Sequence, residues 1–281
     1  MNIIRKPAWL QKRITPSAHA GMERLLGDLQ LHTVCQEACC PNISECFRQR
    51  QATFLILGKA CTRLCSFCSV TKERPFPPDP DEPERVAAAV TRLGLSHVVI
   101  TSPTRDDLPD GGAAVYAATV AAIRAASPSV RIELLIPDFQ GAFPPLEIVA
   151  AARPDIIGHN LETVPRLYHI REGADYRRSL EVLSALHRFA PEMKTKSGVM
   201  VGLGETDGEL TALFADLRQA GCSYLSIGQY LAPSRNHFPV QSFVEPARFD
   251  RYREEAISLG FAHVESGPYV RSSYHAAEYG G

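Results

Sequence analysis

From about residue 51 onward, short apolar runs alternate with amphipathic segments, and no other feature of the sequence limits the fold so strongly. The runs are FLIL (54–57), HVVIT (97–101), RIELLI (131–136), DIIGHN (155–160), GVMVG (198–202) and LSIGQY (225–230). Apolar runs of this length, separated by helical patterns, mark βα units around a parallel sheet. Two of the helices have readable starts. Asp81 with Glu84 makes a capping-box-like pair ahead of Val86, Ala89, Val90 and Leu93. Thr206 with Glu209 repeats the device before Leu210, Leu213, Phe214 and Leu217, and Gly221 is a stop signal. Six such units predict an α/β fold, a partial (β/α)6 barrel of the TIM type over residues 51–235. Residues 1–50 form an N-terminal extension, and residues 236–281 a C-terminal one with little strand character.

In such a fold the chemistry gathers at the C-terminal ends of the strands, where the loops are free to vary. The polar clusters fall there: SPTRDDLPDGG follows the second run, HNLET closes the fourth, GLGET the fifth and QYLAPSRNH the sixth. At 281 residues and 45% hydrophobic, the chain can bury a core without disulfides. Thirty Lys and Arg against 31 Asp and Glu leave a net charge of -1, so no global field draws it to nucleic acid or to anionic lipid. The basic opening MNIIRKPAWLQKRI lacks the apolar core of a signal peptide, and no run approaches the roughly 18 apolar residues of a membrane span. A cytoplasmic location without membrane partners is expected.

Seven of the eight cysteines fall between residues 35 and 68, which in a chain of this length without an export signal points to metal, not to a disulfide framework. Cys61, Cys65 and Cys68 form a C-x3-C-x2-C run directly after the first strand. Three thiolates from one tight loop can hold three corners of a four-iron cluster and leave the fourth iron open to substrate. A zinc site normally wants four ligands, often as two pairs, and no partner pair follows. Cys35, Cys40 and Cys46, spaced C-x4-C-x5-C, imply a second cluster with one iron lacking a cysteine. Cys39 is adjacent to Cys40 and is expected to be a non-ligand, and Cys222 a core residue.

The C-x3-C-x2-C spacing, with Phe67 just before its last cysteine, resembles the signature of the radical S-adenosylmethionine (SAM) enzymes. The two cysteine groups in this order, with SPTRDDLPDGGA, GHNLETVPRLY, TKSGVMVGLGET, IGQYLAPSRNHFPV and RSSYHA, resemble the lipoyl synthase family across almost the whole chain. The resemblance implies a radical-SAM partial barrel, two 4Fe-4S clusters and S-adenosyl-L-methionine. It also implies sulfur insertion at the sixth and eighth carbons of an octanoyl group held as an amide on a lipoyl carrier domain. On the same ground Cys61, Cys65 and Cys68 hold the cluster that cleaves SAM. Cys35, Cys40 and Cys46 then hold the sulfur donor, with Ser273, second serine of RSSY, as its last ligand. Taken by itself, RSSY is a polar tail. Unactivated C–H bonds offer neither an acidic proton nor an electrophilic carbon, so radical cofactor chemistry suits such a substrate. Implied partners are octanoylated carrier domains (glycine cleavage H protein and 2-oxoacid dehydrogenase acyltransferase subunits), a reductant such as flavodoxin or ferredoxin, and an iron–sulfur carrier protein.

Candidate cofactor contacts have structural alternatives. Gly202 and Glu205 in GVMVGLGE either line the adenine side of SAM or make a tight turn with a helix cap. Asn160 and Glu162 in HNLET either bond the ribose or amino group or cap a turn. Lys196 faces either the barrel interior, where it could meet a cofactor carboxylate, or the helices. Asp106, Asp107 and Asp110 are expected to order their loop or to face substrate, since their spacing is not that of a calcium loop. The stretch REGADYRR (171–178) either docks an acidic carrier or is a solvated helix face. Competing readings are a methylthiotransferase or biotin synthase type, which would place its auxiliary cysteines differently, and a non-catalytic electron carrier, which would not need six βα units.

Overall fold

A computed structural model describes residues 5–12, 20–274 and 276–279. Parts of the basic opening segment, and His275 of the terminal motif, lie outside the described residues. By contacts the chain forms two compact units, residues 14–64 with 69–157, and residues 1–13 with 65–68 and 158–281. The fold is α/β, with a mostly parallel sheet whose eight described strands follow one another in chain order.

The first unit holds α1 (Ala20–Asp28), β1 (His32–Thr33), α2 (Val34–Glu37), α3 (Ile43–Arg48), β2 (Thr53–Leu55), α4 (Glu82–Leu93), β3 (His97–Thr101), α5 (Ala113–Ala126), β4 (Arg131–Leu135) and α6 (Phe143–Ala151). β1 runs antiparallel to β2, while β2, β3 and β4 pair in parallel with Phe54 opposite Ile100 and Ile100 opposite Leu134. Parallel neighbours need a crossover, and α4 and α5 supply it, burying Val86, Val90, Val120 and Ile123. α4 begins where expected, yet Asp81 makes no capping bond. Pro83 has no N–H to offer at the second helical position, and Asp81 itself has helical backbone angles (φ -92°, ψ -2°). Glu82 points inward instead and accepts the Leu57 N–H at 2.7 Å.

β5 (Ile156–Gly158) carries the chain from the first unit into the second, which holds α7 (Tyr176–Phe189), β6 (Lys194–Val201), α8 (Asp207–Gln219), β7 (Tyr224–Gln229), α9 (Pro246–Ser258) and β8 (His263–Gly267). β6, β7 and β8 pair in parallel. Their core includes Leu183, Val201, Leu213, Phe214, Leu217, Ile227, Phe249 and Val264. The capping box at α8 is present: the Glu209 N–H donates to Thr206 Oγ1 at 3.3 Å and the Thr206 N–H to Glu209 Oε2 at 2.8 Å. The C-terminal extension departs from expectation, since it contributes both a helix, α9, and a parallel strand, β8. HVESG has one buried residue, Val264, so its apolar signal is too thin to read as a strand.

After β8 the chain runs back across β6 and β7. A Cβ on Gly228 would sit 2.1 Å from the Val270 carbonyl oxygen, and one on Gly198 would sit 2.8 Å from both Asn160 Oδ1 and Ser272 Oγ. The tail thus rests on backbone that only glycine leaves uncovered. Tyr279, fully buried, anchors its end through Ser226 Oγ at 2.9 Å. Gly228→Ala should force the tail off β7, destabilising the protein by about 1–3 kcal/mol. Thermal melting should show a fall of about 2–4 °C per kcal/mol, and an unchanged midpoint would contradict this packing.

Candidate active site

The strand β2 feeds the C-x3-C-x2-C loop, and each part of that loop is tied down. Leu57 has left-handed backbone (φ 67°), and its N–H bond to Glu82 holds the turn; burial pushes the Glu82 carboxyl above its ordinary range. The Cys61 N–H donates to the Thr71 carbonyl at 2.8 Å, and the Thr62 N–H to the Thr104 carbonyl at 3.0 Å. Between the first two cysteines, Arg63 is buried and forked: Nε and Nη2 reach Asp106 at 2.7 and 3.0 Å, and Nη2 reaches the fully buried Asp138 at 2.6 Å. Such charge-assisted, bidentate bonds fix orientation as well as adding energy. Arg105, also buried, donates to the Leu57 and Phe76 carbonyls at 3.0 Å each and pairs with Asp107. Asp110 accepts the Gly112 and Ala114 N–H groups at 2.9 and 2.8 Å, at the start of α5. The acidic loop therefore orders itself and the cysteine loop.

Cys65 and Cys68 belong to the second unit. The Ser66 N–H donates to the Ile170 carbonyl at 2.8 Å, the Phe238 N–H to the Ser66 carbonyl at 2.9 Å, and Phe67 packs on the core. Arg171 lies within electrostatic reach of Cys65 and Glu162. Its guanidinium donates to Tyr168 Oη at 2.6 Å and stacks on that ring, 5.5 Å from the centroid. This first arginine of REGADYRR is turned inward and does not belong to a solvated face. Asn160 Nδ2 donates to Glu162 Oε1 at 3.0 Å and to Ser272 Oγ at 2.7 Å, joining HNLET to the tail. Glu162 has left-handed backbone (φ 66°), and burial pushes its carboxyl up while Arg171 opposes that shift. Glu205 folds back on its own turn, its two oxygens accepting the Gly202 and Leu203 N–H groups at 2.6 and 2.9 Å. Lys196 is buried on β6 with its ammonium over the Tyr279 ring, 3.6 Å from the centroid. Ser273 lies half-buried in the turn that follows β8.

The auxiliary cysteines lie in the first unit. Thr33 caps α2, its Oγ1 accepting the Gln36 N–H at 3.4 Å, and α2 carries Cys35. The Cys40 N–H donates to the Cys35 carbonyl at 3.0 Å, and the Cys46 N–H to the Asn42 carbonyl at 3.0 Å. Burial, with Cys40 close by, pushes the Cys35 thiol up to about 11, so a soft metal would have to draw off its proton. Cys39 has left-handed backbone (φ 50°) and is exposed. Cys222 is buried in the core just before β7, its thiol pushed up to about 12 by burial. Cys39→Ser and Cys222→Ala should therefore leave iron content at the wild-type level, and a loss of about four irons per chain from either would reassign the ligands.

None of the eight cysteines is in a disulfide. Among the described residues no three His, Cys, Asp or Glu side chains close on a single ion. In a four-iron cluster each cysteine binds its own iron, so the test of fit is the donor set: three soft thiols per group, on backbone fixed by hydrogen bonds. Both groups pass it. Arg63 and Ser272, which bond Asp106 and Asn160, are not singled out from the sequence, and Arg171 is read there only within the charged stretch REGADYRR. Arg63 could have been suspected from its place between two cysteines, whereas Ser272 carries no signal beyond its motif.

The Radical SAM superfamily profile matches residues 55–228, which sets the class: a radical SAM enzyme, whose chemistry employs SAM and a 4Fe-4S cluster. Among solved structures, SuiB of Streptococcus suis bound to S-adenosylmethionine shares the fold at a TM-score of 0.57 and 12% identity, covering 77% of this chain and 50% of that one. The lipoyl synthase of Geotalea uraniireducens is 71% identical over 280 residues, covering 100% of this chain and 99% of that protein. That of Geobacter metallireducens is 70% identical over 281 residues with the same coverage. The chain belongs to the lipoyl synthase family.

Proposed function

We propose that this enzyme inserts sulfur at the sixth and eighth carbons of an octanoyl group carried on a lysine of a lipoyl carrier domain. The observation that carries the reading is the presence of two separate cysteine triads in a chain that matches lipoyl synthases from end to end. When bound, the two clusters supply the electron that opens SAM and the sulfide that the product keeps. Cys61, Cys65 and Cys68 hold the first, and the Arg63 clamp keeps their loop in one conformation. Arg171 places positive charge within electrostatic reach of Cys65. Asn160, Glu162, Lys196, Gly202 and Glu205 are the candidate SAM contacts. Asn160 and Glu162 are best supported, because both are polar groups at a strand end joined to the tail. Cys35, Cys40 and Cys46, with Ser273, hold the second. The carriers in this reading are the glycine cleavage H protein and 2-oxoacid dehydrogenase acyltransferase subunits, with an iron–sulfur carrier protein to restore spent sulfide. The described helices include none long and apolar enough to cross a membrane.

The test is anaerobic: reconstituted protein, reductant, SAM and an octanoylated carrier domain, followed by intact mass of the carrier. Two added sulfurs with matching 5'-deoxyadenosine support the reading. SAM cleavage that leaves the octanoyl mass unchanged with a competent carrier would overturn it.

A further inference from the structure

We infer that the face formed by Lys59, Lys72, Arg74 and Phe76 is the docking surface for an acidic one-electron carrier protein that feeds the Cys61–Cys65–Cys68 site, an inference that rests on the proposed SAM chemistry. The residues meet because Ala60 pairs with Thr71, whose carbonyl accepts the Cys61 N–H at 2.8 Å. Lys59 and Lys72 thus flank the paired backbone that carries Cys61. Lys59, Arg74 and Phe76 border an open groove of about 290 Å³ in the same unit. Lys59, Lys72 and Arg74 are exposed, and none forms an ion pair or side-chain hydrogen bond among the described residues. The cations have Glu73 between them as an exposed carboxylate. Asp79, on the groove's rim, is already neutralised by Arg85 at 2.7 Å, and Glu82 is buried against Leu57.

Phe76 borders the same groove as Lys59 and Arg74 with its side chain in solvent, 84% exposed. Its backbone is not loose, since the buried Arg105 holds the Phe76 carbonyl at 3.0 Å. An exposed aromatic presented on a fixed backbone beside unpaired cations is an anchor of the kind protein interfaces use. The net charge of -1 gives no general attraction for acidic proteins, so this local field would have to steer the encounter. An acidic carrier domain would also find the patch attractive. Its octanoyl-lysine, however, is a long arm that works at a distance from where its domain docks. Electron transfer falls off steeply with separation and requires docking against the cysteine loop itself. The donor loses one electron and the cofactor site gains it, with no group or proton exchanged.

The test compares two reductants on one enzyme, the reconstituted Lys72→Glu/Arg74→Glu variant, with Phe76→Ser as an independent second variant. With dithionite, SAM cleavage should stay within about twofold of wild type. With reduced flavodoxin as the probe, kcat/KM should fall about tenfold or more, equivalent to about 1.4 kcal/mol, and its dependence on ionic strength should flatten. Equal rates with flavodoxin overturn the inference, as does a matching loss with dithionite, which would mean that the residues support the loop. A raised KM for an octanoylated carrier with flavodoxin rates unchanged would give the surface to the carrier. If wild-type enzyme fails to cleave SAM with dithionite, the failure belongs to the proposed function and not to this surface.

Discussion

Replacing Cys61, Cys65 or Cys68 with Ala abolishes SAM cleavage, measured as 5'-deoxyadenosine formed under anaerobic reduction. The loop offers three thiols, and the Arg63 and Asp106 side chains beside it are spent on each other at 2.7 Å. Two thiolates cannot hold an open-iron cluster against loss or rearrangement. The backbone should survive the change, because Thr62, Arg63 and Ser66 pin the loop through long-range bonds, whereas the Arg63 N–H bond to Cys61 Sγ at 3.4 Å is a local contact two residues apart. Far-ultraviolet circular dichroism should therefore remain that of the wild type while activity is lost. Normal 5'-deoxyadenosine production by any of the three variants would remove the basis of the assignment.

The second large effect is a separation of activities. Ala variants of Cys35, Cys40 or Cys46 should still cleave SAM, because these residues lie on α2 and α3 or the turn between them, outside the Cys61–Cys68 loop. They should yield no lipoyl product. Ser273 should follow the same division: Ser273→Ala loosens the auxiliary site, and Ser273→Cys retains iron but donates sulfur poorly. Oxygen is a harder ligand than thiolate and leaves iron more readily, which suits a site that must give up sulfide. Removing residues 271–281 should stop product formation and spare the cluster on Cys61, Cys65 and Cys68. Wild-type yields of product from the auxiliary variants or from the truncated enzyme would assign sulfur donation elsewhere.

Much of this was legible in the sequence, and the exceptions have identifiable causes. HVVIT spans the same residues as β3, because an unbroken apolar run between turn signals has few other solutions. β6 begins at Lys194, four residues before the apolar stretch GVMVG, since its buried Thr195, Lys196 and Ser197 are polar and give no hydrophobic signal. The cysteine triads could be found because their ligands are close in sequence. The Arg63 clamp could not, because its carboxylates are 43 and 75 residues away and meet it only through the sheet. Asp81 illustrates a local failure: the capping pattern was intact, but Asp81 takes helical backbone angles where a capping residue needs extended ones.

The glycine floor under the tail has a consequence for how the chain assembles. Contacts such as Asn160 with Ser272, separated by 112 residues, and Ser226 with Tyr279, separated by 53, close long loops. They cannot form until β6 and β7 lie side by side to present Gly198 and Gly228. Long-range closures of this kind come late in folding, and a segment held on a preformed surface can detach without unravelling what lies beneath it. The stretch bearing Ser273 is in that sense a latch, fastened after the rest is built, and the first part able to open when the protein needs repair.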